Sequence, residues 1–228
     1  MNSFMSDFYQ HWPEWWPRLA EAAKMTAKLS SAGFVMALLV GAILVAMIRG
    51  GNPVLRFAAN FFIQFVRTVP LLALLLALYF ALPPLGITLS GFWAGVLGLG
   101  LHGAAYVAEI LRGGLQSLHR GQREAALSVG LTPNQAFLHV VLPQALRVML
   151  APLVNTYVAL LKDSSLCALI ATDELMLVAR AMSSEYFLPL HIFLLVGLFY
   201  FAIAFPLSMM SRLLEQRLSR GRRVIGAT

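Results

Sequence analysis

Residues Leu29 to Ile48 carry no charged side chain and stop abruptly at Arg49-Gly50-Gly51-Asn52-Pro53. About 20 apolar residues are what an α-helix needs to cross the hydrocarbon core of a bilayer. In lipid, a single segment satisfies its own backbone only as a helix. Further apolar stretches follow. One runs from Thr68 to Leu82, extendable back to Phe57 with Gln64 and Arg67 at its polar end, and breaks at Pro83-Pro84. The next, Leu85 to Ala108, closes at Glu109 and Arg112, and the last, Phe187 to Ser211, holds Pro189 and Pro206. Between them a crossing must lie within Val148 to Thr172, where the uncharged part before Lys162 is too short to span alone. That crossing therefore has to involve Lys162, Asp163, Ser164 and Ser165. With 59% hydrophobic and 12% charged residues, a soluble domain is excluded. The expected fold is an all-α membrane protein with about five transmembrane helices.

The formal charge is +7, from 17 basic and 10 acidic residues, and its placement orients the chain. Arg49, Arg56 and Arg67 follow the first span, and Arg112, Arg120, Arg123 and Arg147 lie in the third connection. Arg212, Arg217, Arg220, Arg222 and Arg223 follow the fifth. The connection "LPPLGITLS" is uncharged, and the one from Lys162 to Glu185 is net negative. The positive-inside rule then puts the C-terminus in the cytoplasm and the N-terminus on the periplasmic side. The basic excess belongs to membrane loops, so no nucleic-acid partner is needed. Residues 1–24 lack a basic stretch followed by an apolar one and do not read as a cleavable signal. Their Trp12, Trp15 and Trp16 suit an extracytoplasmic segment at the headgroup layer, or an unstructured tail. Residues 216–228 read as a basic cytoplasmic tail.

The long third connection is unusually well defined for a loop. Arg123 to Val129 is rich in helix formers and Gly130 stands at a C-terminal cap position. Thr132, Pro133 and Gln135 then supply a capping hydroxyl, a first-turn proline and the far side of a capping box. Pro143 should bend or interrupt the second helix. The series Glu124-Ala125-Ala126, Gly130, Val140 and Leu142-Pro143 resembles the EAA loop of the membrane subunits of ATP-binding-cassette importers. Together with "FVRTVPLL" (including Pro70), "AAYVAEILRGGLQSLHRGQREAA", "LPQALR", Asn155 and "LLKDSSL", it resembles the polar amino-acid permease group of the type I importers. The similarity spans roughly residues 25 to 215. Val69 and His102 depart from the group's usual residues.

That resemblance implies a type I permease core in a bacterial inner membrane, with a cytoplasmic coupling loop at 114–143. It implies Gln122, Arg123, Glu124, Ala125, Ala126, Gly130 and Leu131 as the ATPase-coupling surface, and structural roles for Pro70 and Pro143. The partners implied are a cytoplasmic ATP-binding subunit pair, a second permease subunit, an extracytoplasmic amino-acid-binding protein and membrane lipid. ATP and its Mg ion belong to the ATPase, since this chain has no Gly-Lys pair and hence no phosphate-cradling Walker loop. Glu124 is open to two uses, reaching a cation on the partner or capping its own helix.

No enzyme is expected, because no nucleophile, base and orienter can be assembled from the sequence. The histidines lack metal-ligand spacing, and the single Cys167 can form no intrachain disulfide. Candidate substrate-binding groups are the intramembrane polar residues Asp163, Lys162, Ser164, Ser165, Asn155, Glu109, Arg67 and His102. Adjacent Lys162 and Asp163 point about 100° apart on a helix, so they are no side-by-side pair. Either Lys162 reaches the outer headgroups while Asp163 caps the following helix, or Asp163 faces the route and attracts an ammonium group. Glu109 has a competing partner in Arg112, three residues on. An ion-coupled secondary transporter and a non-transporting scaffold are the alternatives.

Overall fold

A computed structural model describes residues 2–219, which contain helices and turns but no strand. The basic tail residues Arg220, Arg222 and Arg223 lie outside the described residues. The first helix, α1 (Asn2–Arg49), is 48 residues long. Its N-terminal part is helical rather than an unstructured tail. Phe8, Trp15, Leu19, Ala22 and Ala23 recur at helical spacing and pack on Leu175, Met182 and Ile192, with Trp15 and Leu19 fully buried. Trp12 and Trp16 stack on each other at the exposed flank of this face, where Trp16 also meets Phe199 of the last helix. Pro13 and Pro17 are also exposed, so the carbonyls they leave unpaired lie on the outer face of the helix.

The second crossing is broken. α2 (Pro53–Thr68) starts at Asn52, whose side chain accepts the Val54 and Leu55 N–H groups. α3 (Leu71–Leu76) continues through a π turn at Ala77–Ala81 and a 3-10 turn at Pro83–Leu85. The axes bend by 106° between them. Pro70 causes the bend by forcing Val69 out of the helical region, to φ −78° and ψ 130°. Among the described residues, four helices are thus long and apolar enough to cross a membrane, or five if this bent pair counts as one span.

α4 (Gly91–Gln116) starts later and ends later than the apolar run suggests. Gly86 turns the chain at φ 82°, and Ser90 then caps the helix through the Trp93 N–H. At the other end the Glu109–Arg112 pair carries the helix onward. α4 is the spine of the bundle, lying against α1 at glycine-lined contacts. A Cβ added to Gly103 would stand 2.9 Å from Cβ of Ala37, and one on Gly41 2.7 Å from Cγ1 of Val107. Small residues let two backbones approach closely where lipid offers no hydrophobic drive for association.

The third connection holds α5 (Arg120–Ser128) and α6 (Pro133–Ala136). α6 runs through a π turn at Phe137–Val141 into α7 (Leu142–Asp163), and a 3-10 segment at Ser164–Ile170 ends the rod. The fourth crossing therefore belongs to a continuous helical stretch of 38 residues that starts well before Val148. Pro143 does not interrupt it. Lacking an N–H for the His139 carbonyl, Pro143 is accommodated by the wider turn, in which the Leu142 N–H reaches back to Phe137.

α8 (Leu175–Tyr186) is a short helix that the hydropathy pattern leaves unannounced. Buried Glu174 caps it by accepting the Met176 and Leu177 N–H groups, and also accepts from Tyr200 Oη at 2.9 Å. α9 (Pro189–Ser219) begins at Pro189 rather than containing it, while Pro206 lies inside. Buried Ser211 ties α9 to α7 by donating to the Ala151 carbonyl at 3.0 Å. The C-terminal ends of α1 and α4 and the start of α7 share one end of the bundle, here termed the basic end.

Candidate substrate route and coupling surface

Along α4, His102 and Tyr106 sit one turn apart with ring centroids at 5.2 Å. Arg67, at the last turn of α2, places its guanidinium 5.8 Å from the centre of the Tyr106 ring. A cation over an aromatic face is attracted by the ring quadrupole. The end of α7 brings half-buried Asp163 into electrostatic reach of His102. Arg67, Tyr106 and His102 thus form a run along α4, with Asp163 in electrostatic reach of its His102 end. His102 Nδ1 is buried without a hydrogen-bond partner, and the Asp163 carboxylate accepts none among the described residues. Buried polar atoms are normally satisfied, so this set has bonding capacity to offer.

The other candidates are differently placed. Lys162 is exposed and forms no ion pair with Asp163 among the described residues, in keeping with the spacing. Asp163 makes no capping hydrogen bond, so the reading in which it caps the following helix is overturned. The chain continues from α7 directly into 3-10 turns, which leaves no separate helix start to cap. Ser164 is fully buried and donates to the Leu161 carbonyl, and Ser165 donates to that of Lys162. Both hydroxyls thus tighten their own helix end. Asn155 donates to Glu215 of α9 at 3.2 Å. Glu109 is engaged by Arg112 towards the basic end, away from His102. Tyr106, which sequence reasoning passed over, was signalled only by its one-turn spacing from His102. Tyr157, bonded to Ser31 at 2.9 Å, joins α7 to α1.

At the basic end α5 and α6 make a hard corner. The Leu131 N–H reaches the Ala126 carbonyl and the Gly130 N–H reaches Leu127, the paired bonds of a Schellman cap. Gly130 has φ 86° there, which only glycine adopts without strain. Thr132 and Gln135 complete the reciprocal capping box. His119, not Glu124, caps α5, its Nδ1 accepting the Gly121 N–H at 3.1 Å. Glu124 is left exposed with Gln122, Arg123 and Ala125, while Ala126 is buried. Val129 is 78% exposed beside them, an apolar tip the sequence did not single out. Gln144 of α7 holds Gln122 at 3.4 Å, fastening this corner to the fourth crossing.

Residues 33–220 match the family model for the binding-protein-dependent transport system inner membrane component. The chain belongs to that family. This permease is 35% identical to the glutamine transport system permease protein GlnP of Escherichia coli (strain K12), over 91% of its own length and 97% of the relative's. It is 39% identical to the probable glutamine ABC transporter permease protein GlnM of Bacillus subtilis (strain 168), covering 73% and 77% of the two chains. In three dimensions the permease resembles a crystal structure of an amino acid ABC transporter with histidines, with TM-score 0.85 and 30% identity. That match covers 91% of this chain and 97% of the other. Family membership sets aside the ion-coupled transporter and the scaffold.

Proposed function

We propose that this permease moves polar amino acids across the membrane by alternating access, driven by a separate ATPase that engages the corner of α5 and α6. Relatives named as glutamine and amino-acid permeases support the substrate class. The observation that carries it is the polar series from Arg67 through Tyr106 and His102 to Asp163. A carboxylate at one end suits an ammonium group and a guanidinium at the other suits a carboxylate, which is the charge pattern of a zwitterion. Lys162, Ser164, Ser165, Asn155 and Glu109 support this route from its margins rather than contacting substrate.

In this reading the basic end faces the cytoplasm, following the arginine distribution. Exposed Gln122, Arg123, Glu124, Ala125 and Val129 meet the ATPase, with Gly130 and Leu131 fixing the corner. Since α6 continues into α7, displacement of the corner moves the rod that ends at Asp163. An ATPase pair, a second permease subunit and an extracytoplasmic binding protein complete the assembly, with ATP and Mg held by the ATPase. Asp163→Asn keeps the shape but removes the charge. Uptake of radiolabelled glutamine by the reconstituted importer should fall at least tenfold, with subunits still co-purifying. Normal uptake would remove Asp163 from the route.

A further inference from the structure

At the basic end, two adjoining concavities open between α1, α4 and the π turn that precedes α7. One, of about 270 Å³, is lined by Ile48, Arg49, Arg112, Leu115 and Gln116. The other, of about 310 Å³, is walled by aliphatic side chains including Ala46, Leu111, Leu146 and Met149, closed by Phe137. Arg49 and Leu115 line both, so the two form one amphipathic groove. Its polar half has two guanidinium groups and one neighbouring carboxylate, that of Glu109 on Arg112, which leaves a net positive charge. Arg49 has no carboxylate partner among the described residues and lies 5.6 Å above the Phe137 ring. The apolar half continues an exposed stripe on α1, where Val35, Leu39 and Ile43 are 55%, 64% and 58% exposed.

From this geometry we infer that the groove is a binding site for an anionic phospholipid. Its phosphodiester sits between Arg49 and Arg112, and part of one acyl chain fills the aliphatic half. Charge complementarity selects an anion, and continuity with the apolar stripe selects a lipid over a soluble phosphate, because a chain enters sideways from the membrane. Basic pockets between transmembrane helices at the cytoplasmic side are suited to such headgroups. The site also has a reach beyond lipid, since Arg49 touches Phe137 in the turn joining α6 to α7. A phosphate held by Arg49 would fix that turn against α1. Assignment to the cytoplasmic leaflet rests on the orientation proposed above; the binding itself does not.

The test is native mass spectrometry of the full chain, purified with whatever subunits accompany it and exposed to equal phosphatidylglycerol and phosphatidylcholine. The wild type should retain phosphatidylglycerol preferentially. Arg49→Gln with Arg112→Gln should lower that preference about tenfold, whereas Arg147→Gln, outside the groove, should keep it. Leu146→Gln, which leaves both guanidiniums in place, should weaken retention through the acyl half. Undiminished preference in the double variant overturns the site, and so does an assembly in which a protein subunit excludes lipid from it. Displacement by soluble glycerol phosphate at matched concentration would overturn the lipid in favour of a free phosphate. The readout is lipid mass rather than uptake, so either proposal can fail without the other.

Discussion

Replacing Gly103 by alanine tests the claim that close approach of α1 and α4 holds the bundle together. The new Cβ would lie 2.9 Å from Cβ of Ala37 and 2.9 Å from Cδ1 of Leu160. Carbon atoms prefer about 3.5 to 4.0 Å, so the shortfall against Ala37 is at least about 0.6 Å. Leu160 can rotate away, but a Cβ cannot leave its backbone, so the two helices themselves must part. Overpacking of this kind costs about 1 to 3 kcal/mol. At about 2 to 4 °C per kcal/mol for a chain of this size, the unfolding midpoint in detergent should drop by roughly 2 to 12 °C. Unfolding of membrane proteins is commonly irreversible, so variants are compared at one scan rate. Ala37→Gly should be only mildly destabilising by itself and should recover a large part of the loss when combined with Gly103→Ala. Such coupling between touching residues is what a double-mutant cycle measures. An unchanged midpoint for Gly103→Ala, or purely additive effects, would refute the close-contact account.

Two further outcomes follow from local geometry. Gly130→Ala meets no atom within 4 Å, so its cost is the left-handed backbone alone, about 1 kcal/mol, and hydrogen exchange across α5 should quicken roughly fivefold. The variant should lower ATP-dependent uptake while leaving the transmembrane helices equally protected; unchanged exchange would show that the corner is not held by its cap. The Arg18 guanidinium, 2.8 Å away, holds the exposed Glu185 carboxyl below the usual carboxylate range. This contact contributes above the ordinary glutamate range and is lost as pH falls through the depressed value. Protease access near Arg18 should therefore rise on acidification in the wild type, and Glu185→Gln should remove that pH-dependent part; an identical profile in both would exclude the pair as its source.

Much of this architecture was legible in the chain because one residue, or a local run, carried the reason. The apolar runs required membrane helices, Thr132 and Gln135 announced their capping box, and Gly130 marked the left-handed corner, since these are short-range constraints. Helix ends were less legible. Hydropathy marks where side chains prefer lipid, but α1 and α4 continue past their apolar parts because buried Trp15 and the Glu109–Arg112 pair stabilise the extra turns. α8 escaped notice because its buried face is completed by α1 and α9, whose pairing no periodicity reveals.

The polar residues divide in the same way. The sequence by itself determined that Lys162 and Asp163 could not be a side-by-side pair, a consequence of helical geometry alone. It could not say that Asp163 would come within electrostatic reach of His102 on α4, that Asn155 would be taken by Glu215, or that Tyr106 would receive Arg67. Those choices depend on how far α2 bends at Pro70 and how closely glycine lets α1 and α4 approach. A side chain's partner across a bundle is fixed by the rotation and separation of whole helices, which only their packing together decides.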